Sequence, residues 1–169
     1  MAERPIVIFG DPVLREVSEN VDPFSQDTKD LASRLMDALK TARGLGLAAN
    51  QIGESKRVFV ADLSAIDITE SLRVFINPEI LEASGDPVEI EEGCLSFPDL
   101  YLKVTRPSKV RVRAYDLDGQ QFELTAEGMA ARVILHEYDH LEGKLFIDRV
   151  SPLTRTLIKG RLKKLAKAS

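Results

Sequence analysis

Leu135-His136-Glu137-Tyr138-Asp139-His140-Leu141 is the stretch from which the rest of the chain is read. It is an H-E-x-x-H segment inside a helical apolar pattern. Residues four apart share one helix face, so His136 and His140 can point at one cation. Glu137 is rotated by about 100° from His136, near the cation's open side. A carboxylate there can take a proton from a water on that cation. The chain has only two histidines and both are here, which argues against two unrelated core histidines.

Around this segment, Met129, Ala130, Val133, Ile134 and Leu135 make the helix about 127–142 apolar nearly all round, hence buried. Thr125 is a candidate N-cap and Gly143 closes the helix. Upstream, residues 101–126 read as antiparallel strands, with Asp118-Gly119 as a hairpin turn. Val88–Glu91 alternates like a half-buried strand and runs into Glu92-Gly93-Cys94-Leu95-Ser96. Residues 57–62 and 72–82 read as strands separated by a polar loop at 64–71, with a bend at Asn77-Pro78. Residues 25–43 carry an apolar stripe at Leu31, Leu35, Ala38, Leu39 and Ala42, a first helix with Gly44 as its left-handed cap. Pro5–Phe9 is short and strand-like, too short for a secretory leader.

At 169 residues, 44% hydrophobic and 30% charged, the chain is expected to form one globular domain. It holds no run of 18 apolar residues, so no membrane span is expected. A single cysteine, Cys94, excludes an internal disulfide and fits a reducing cytoplasm. The net charge of -4 conceals a basic end: residues 151–169 carry +6 and no acid, so residues 1–150 carry -10. Residues 152–169 read as one amphipathic basic helix, weakened at Gly160, with a partner of its own.

A catalytic ion bound by two histidines needs a third protein ligand and one open position. Position 146 is Phe146, where some H-E-x-x-H proteases place a third histidine, and no glutamate follows Glu142. The third ligand is therefore upstream or is Asp148. Cys94 is the best candidate, since a bound metal removes the thiol proton outright. A rival arrangement makes Cys94 a nucleophile and a histidine its base. It leaves the second histidine and Glu137 without a role. Gly44–Ala49 superficially matches a dinucleotide fingerprint, but a helix precedes it and no helix follows, so that reading is rejected.

These residues resemble the peptide deformylase family. GLGLAANQ at 44–51, EGCLS at 92–96 and HEYDH at 136–140 match its three motifs in order and wide spacing. The resemblance implies an α+β fold, with mixed, mostly antiparallel strands around the motif helix. It implies Cys94, His136 and His140 as ligands of one metal ion, usually Fe2+, with Zn2+, Ni2+ or Co2+ able to substitute. The ligand types alone suggest zinc. It further implies that the substrates are N-formylmethionyl nascent peptides and the products formate and a free amino terminus. Glu137 would be the base, with the Gln51 amide and the Leu95 N–H as oxyanion donors. The peptide would add as a strand near Leu45, Gly46, Leu47 and Glu92, Gly93, Leu95, with its methionine side chain against Leu45, Ile90, Met129 and Val133. The basic tail would touch ribosomal RNA, and the protein is expected to be a monomer. Leu135 stands where the family commonly has Gln, and residues 97–100 also vary. Two rival readings are a metal-dependent endopeptidase and a metal-stabilised binding module. The second needs a fourth ligand, and Asp139 faces away from both histidines.

Overall fold

The computed structural model describes residues 6–64 and 72–168. Most of the expected 64–71 loop, and Pro5, lie outside those residues. The fold is α+β. In chain order it contains α1 (Gln26–Ala42), β1 (Gly46–Ala48), β2 (Val58–Asp62), β3 (Leu72–Ser84), β4 (Val88–Cys94), β5 (Phe97–Arg106), β6 (Lys109–Tyr115) and β7 (Gln121–Glu127). Then follow α2 (Gly128–Leu141), α3 (Pro152–Leu157) and α4 (Lys159–Ala168). Short 3-10 turns stand at Pro12–Arg15, Ala49–Ile52 and Phe146–Arg149.

One antiparallel sheet has the order β1-β2-β3-β6-β7, and β4-β5 form a separate antiparallel pair. The larger sheet is covered on both faces. Val58 and Val60 of β2 meet Leu31, Leu35 and Leu39 of α1. Phe59 and Ala61 point the other way, toward Ala131, Ile134 and Leu141 of α2. Burial on both sides explains why β2 reads as a continuous apolar run rather than an alternating one. Phe59 and Phe75 stack across the strands at 4.6 Å. A third cluster joins Phe97, Leu100, Leu102 and Val104 of β5 to Phe146, Ile147, Ile158 and Leu162.

Several local expectations are corrected. The cap of α1 is Arg43, at φ 58, and not Gly44. Gly44 instead supplies room, since a Cβ there would stand 2.9 Å from Leu95 Cδ1. Thr125 stays in β7, and α2 begins after Glu127 with no side-chain cap, using Gly128 at φ 61 for the corner. Residues 6–9 form no strand; they are tied by single bonds, Val7 N–H to Gln51 O and Phe9 N–H to Ser96 O. Asn77, at φ 49, does mark an irregularity in β3, and its amide clamps Val21 through both N–H and C=O. The basic tail is two helices. Ile158 ends α3, and the turn lets Ile158 and Leu162 reach the β5 cluster while Leu153 and Leu157 stay exposed.

Candidate active site

The site forms where α2 passes beneath β1 and β4. Among the described residues β1 pairs with β2 alone and β4 with β5 alone, so each has one edge outside its sheet. α2 is driven into the centre by Ala131, Ile134 and Leu141, all fully buried. That burial carries His136, Glu137 and His140 below the surface, at 8%, 4% and 1% exposure. Cys94 arrives from the end of β4, at a register shift against β5.

Cys94 Sγ and one ring nitrogen each of His136 and His140 lie within 4.8 Å of one another. Cys94 Sγ is 3.5 Å from His140 Nε2. Ligand atoms of a tetrahedral ion, with bonds of about 2.0–2.3 Å, stand roughly 3.5 Å apart. A thiol and two imidazoles are also donors suited to a transition ion. The residues present therefore fit one such ion. Asp148, the other candidate ligand, is committed elsewhere, to Arg15, Arg155 and the Leu145 N–H. Asp139 is likewise held by Arg106 and Arg149, facing away.

Behind His136 stands a buried ionic group that sequence reasoning did not foresee. Glu92 Oε1 is 2.9 Å from His136 Nδ1, which leaves Nε2 for a ligand role. The same carboxylate receives Arg106 and Arg132. Burial would raise Glu92, but hydrogen bonds from His136 and Arg106 hold it at about 2. Arg132 also donates to the carbonyls of Val88 and Val104. A lone arginine one turn before His136, on a helix otherwise apolar, was the signal available in the sequence.

Glu137 is the opposite case. Burial pushes its carboxyl up to about 7, and its Oε1 has no partner among the described residues. A Cβ on Gly46 would lie 2.8 Å from Glu137 Cγ and Oε2, so the glycine is what lets β1 pass over the carboxylate. Burial, followed by the charges of His136 and Arg106, pulls His140 well below its usual range.

Gln51 is 1% exposed. Its Oε1 accepts from Ala48 N–H, which sends Nε2 toward Ser96 Oγ at 3.1 Å and Cys94 Sγ at 3.7 Å. Leu95 occupies the turn between β4 and β5. A cavity of about 470 Å³ opens beside these groups, walled in part by Leu45, Gly46, Gly93, Met129, Val133 and Arg132. Two expected substrate contacts do not border it: Leu47, expected to pair through its main chain, and Ile90, expected against the methionine side chain. Leu47 alternates onto the far face of β1 and is fully buried against α1. Ile90 lies one strand repeat, about 7 Å, beyond Glu92. Glu92 borders the cavity, but its carboxylate is occupied by His136 and the two arginines. Tyr101, not foreseen, is exposed at the rim, with its ring against Gly93.

Known proteins carry the same plan. The family model described as Polypeptide deformylase matches residues 3–156. A peptide deformylase of Mesorhizobium japonicum is 47% identical over 167 residues, covering 99% of this chain and 95% of that one. The crystal structure of a peptide deformylase from Legionella pneumophila is 41% identical with a TM-score of 0.87, covering 99% of this chain and 97% of that one. Arabidopsis thaliana peptide deformylase 1B, solved with an inhibitor, is 36% identical with a TM-score of 0.89, covering 97% and 91%. With the family model spanning most of its length and near relatives matched almost end to end, the chain belongs to the peptide deformylase family.

Proposed function

We propose that this chain removes the formyl group from N-formylmethionyl nascent peptides, releasing formate, with one Fe2+ held by Cys94, His136 and His140. The observation that carries it is a thiol and two imidazole nitrogens within 4.8 Å, beside a buried carboxylate oxygen with no partner among the described residues. When bound, such an ion supplies Lewis acidity, lowering the pKa of a water toward about 7 and polarising the formyl carbonyl.

The protein's own groups do the rest. Glu137, pushed toward 7, is matched to accept a proton near neutral pH and to return it. It takes the proton that the attacking water sheds and delivers it to the departing amine nitrogen. The water's oxygen adds to the formyl carbon, and the C–N bond then breaks. Charge gathers meanwhile on the formyl oxygen, toward which Gln51 Nε2 and the Leu95 N–H donate. Losing one such donor typically costs about 3–4 kcal/mol of barrier. The peptide main chain adds at the outer edges of β1 and β4, along Leu45–Leu47 and Gly93–Leu95. Its methionine side chain enters the cavity between Met129 and Val133.

Zn2+, Ni2+ and Co2+ suit the same donors. The single cysteine supports a reducing cytoplasm as the place of action. No described helix is long and apolar enough to cross a membrane. The six cations after residue 150, with no acid among them, support contact between α3–α4 and ribosomal RNA. The deciding experiment is anaerobic loading with Fe2+, metal analysis, and formate release from a formyl-methionyl peptide. Cleavage of an unformylated peptide without formate production would replace the proposal with an endopeptidase. Deleting residues 153–169 should weaken ribosome co-sedimentation in a salt-dependent way, and no loss at low salt ends the RNA reading.

A further inference from the structure

The two imidazoles are not held alike. A histidine that gives one nitrogen to a metal carries its proton on the other, and that N–H needs an acceptor to fix the ring. Glu92 serves His136 in this way, at 2.9 Å from Nδ1. For His140, Nε2 faces the Cys94 sulfur at 3.5 Å, so Nδ1 is the far nitrogen. It is buried and has no partner among the described residues.

A second orphan belongs to a residue already touching His140. Asn50 is 0% exposed and donates Nδ2 to the His140 main-chain carbonyl at 2.6 Å. Its Oδ1 is buried and likewise lacks a partner. One orphan is an acceptor, and the other becomes a donor once Nε2 is a ligand. Leaving both unpaired is unfavourable, because each buried group has given up its water partners for nothing in return. We propose that Asn50 is the positioning residue of His140: anchored on the carbonyl of that residue, its Oδ1 accepts from the Nδ1–H of the metal-loaded ring, a bond the two atoms do not make in the present arrangement.

The inference rests on Cys94, His136 and His140 holding the ion. It gives Asn50 a different task from its neighbour Gln51. Gln51 points toward the sulfur and Ser96, whereas Asn50 points beneath the helix at the ligand's own root. It also ties the 3-10 turn at Ala49–Ile52 to the last turn of α2, so that one side chain sets both the backbone and the ring of one ligand.

Zinc-loaded protein labelled with nitrogen-15 histidine tests it directly, because the chain has only two histidines. Wild type should show two slowly exchanging Nδ1–H signals. Asn50→Leu should lose that of His140, keep that of His136, and release zinc to a chelator roughly 10–100-fold faster. Asn50→Asp, which keeps an oxygen acceptor and gives up the donor, should retain the His140 signal. A purely structural role would lower the melting temperature equally with and without zinc and leave the ring signals in place. An unchanged His140 signal and zinc release rate in Asn50→Leu overturns the proposal. If Asn50→Leu does not fold, loss of the His140 signal in Asn50→Asp overturns it instead. Failure of wild type to bind one zinc per chain would count against the three-ligand reading itself.

Discussion

Replacing Gly46 with alanine isolates the placement of the catalytic carboxylate. Gly46 has no positive φ, so alanine is conformationally acceptable and only space is at issue. The added Cβ would stand 2.8 Å from Glu137 Cγ and Oε2. Ordinary contact begins at 3.4 Å, so the carboxylate must retreat by at least 0.6 Å. A misplacement near 1 Å at reacting groups can cost about 10²-fold in rate, or about 2.7 kcal/mol of barrier. Overpacking typically adds a stability loss of about 1–3 kcal/mol, or roughly 2–12 °C for a chain of this size. The assay is formate release together with thermal unfolding and metal content. We expect kcat to fall by about two orders of magnitude while Cys94, His136 and His140 keep the metal. A second substitution, Glu137→Asp, shortens the acid and should restore much of the melting temperature without restoring turnover, a non-additive coupling. A Gly46→Ala enzyme within two-fold of wild-type kcat would refute the close-approach argument. So would stability losses that simply add.

Three further outcomes are expected. Cys94→Ser should retain less than about a tenth of the metal on purification, and chelation should lower the melting temperature of wild type but not of the variant. Arg106→Leu should destabilise by about 3–5 kcal/mol in urea unfolding, because it strips a buried cation from both Glu92 and Asp139; a loss under 1 kcal/mol would show that Arg132 and Arg149 suffice. Burial raises the Asp148 carboxyl, but Arg15, the Leu145 N–H and Arg155 hold it below 3.8 overall. A depressed acid stabilises the fold above its unfolded value and loses that contribution as pH falls through the folded one. The stability gap between wild type and Asp148→Asn should therefore be level from pH 5 to 8 and close below about pH 4. A gap that does not shrink as the pH falls below about 4 would sink the assignment.

Much of the site was legible in the order of residues. His136, Glu137 and His140 are local: helical periodicity alone puts two of them on one face and the third beside them. Gly46 was readable as part of the segment that meets the peptide, though not as the neighbour of Glu137. Helix and strand positions followed from apolar period, because α1 and α2 each bury a face and β6 alternates between core and solvent. Their ends did not follow, since caps depend on local space. Arg43 turns the corner where a glycine was expected, and Ile158 ends α3 because the β5 cluster lies to one side.

What composition and spacing determined about this protein is its donor inventory: one thiol, two imidazoles a helical turn apart, a carboxylate between them and a basic end. Which of those donors meet is a matter of distance across 42 residues, from Cys94 to His136, and no periodicity reaches that far. The meeting needs β4 to end at the mouth of the cavity and α2 to be buried beneath β1, and long-range packing alone brings that about. The groups that hold the rings were hidden for the same reason. Along the chain nothing marks Glu92, Arg106 and Asn50 for that task, and Arg132 only by its place before His136; burial without water is what makes their pairing necessary.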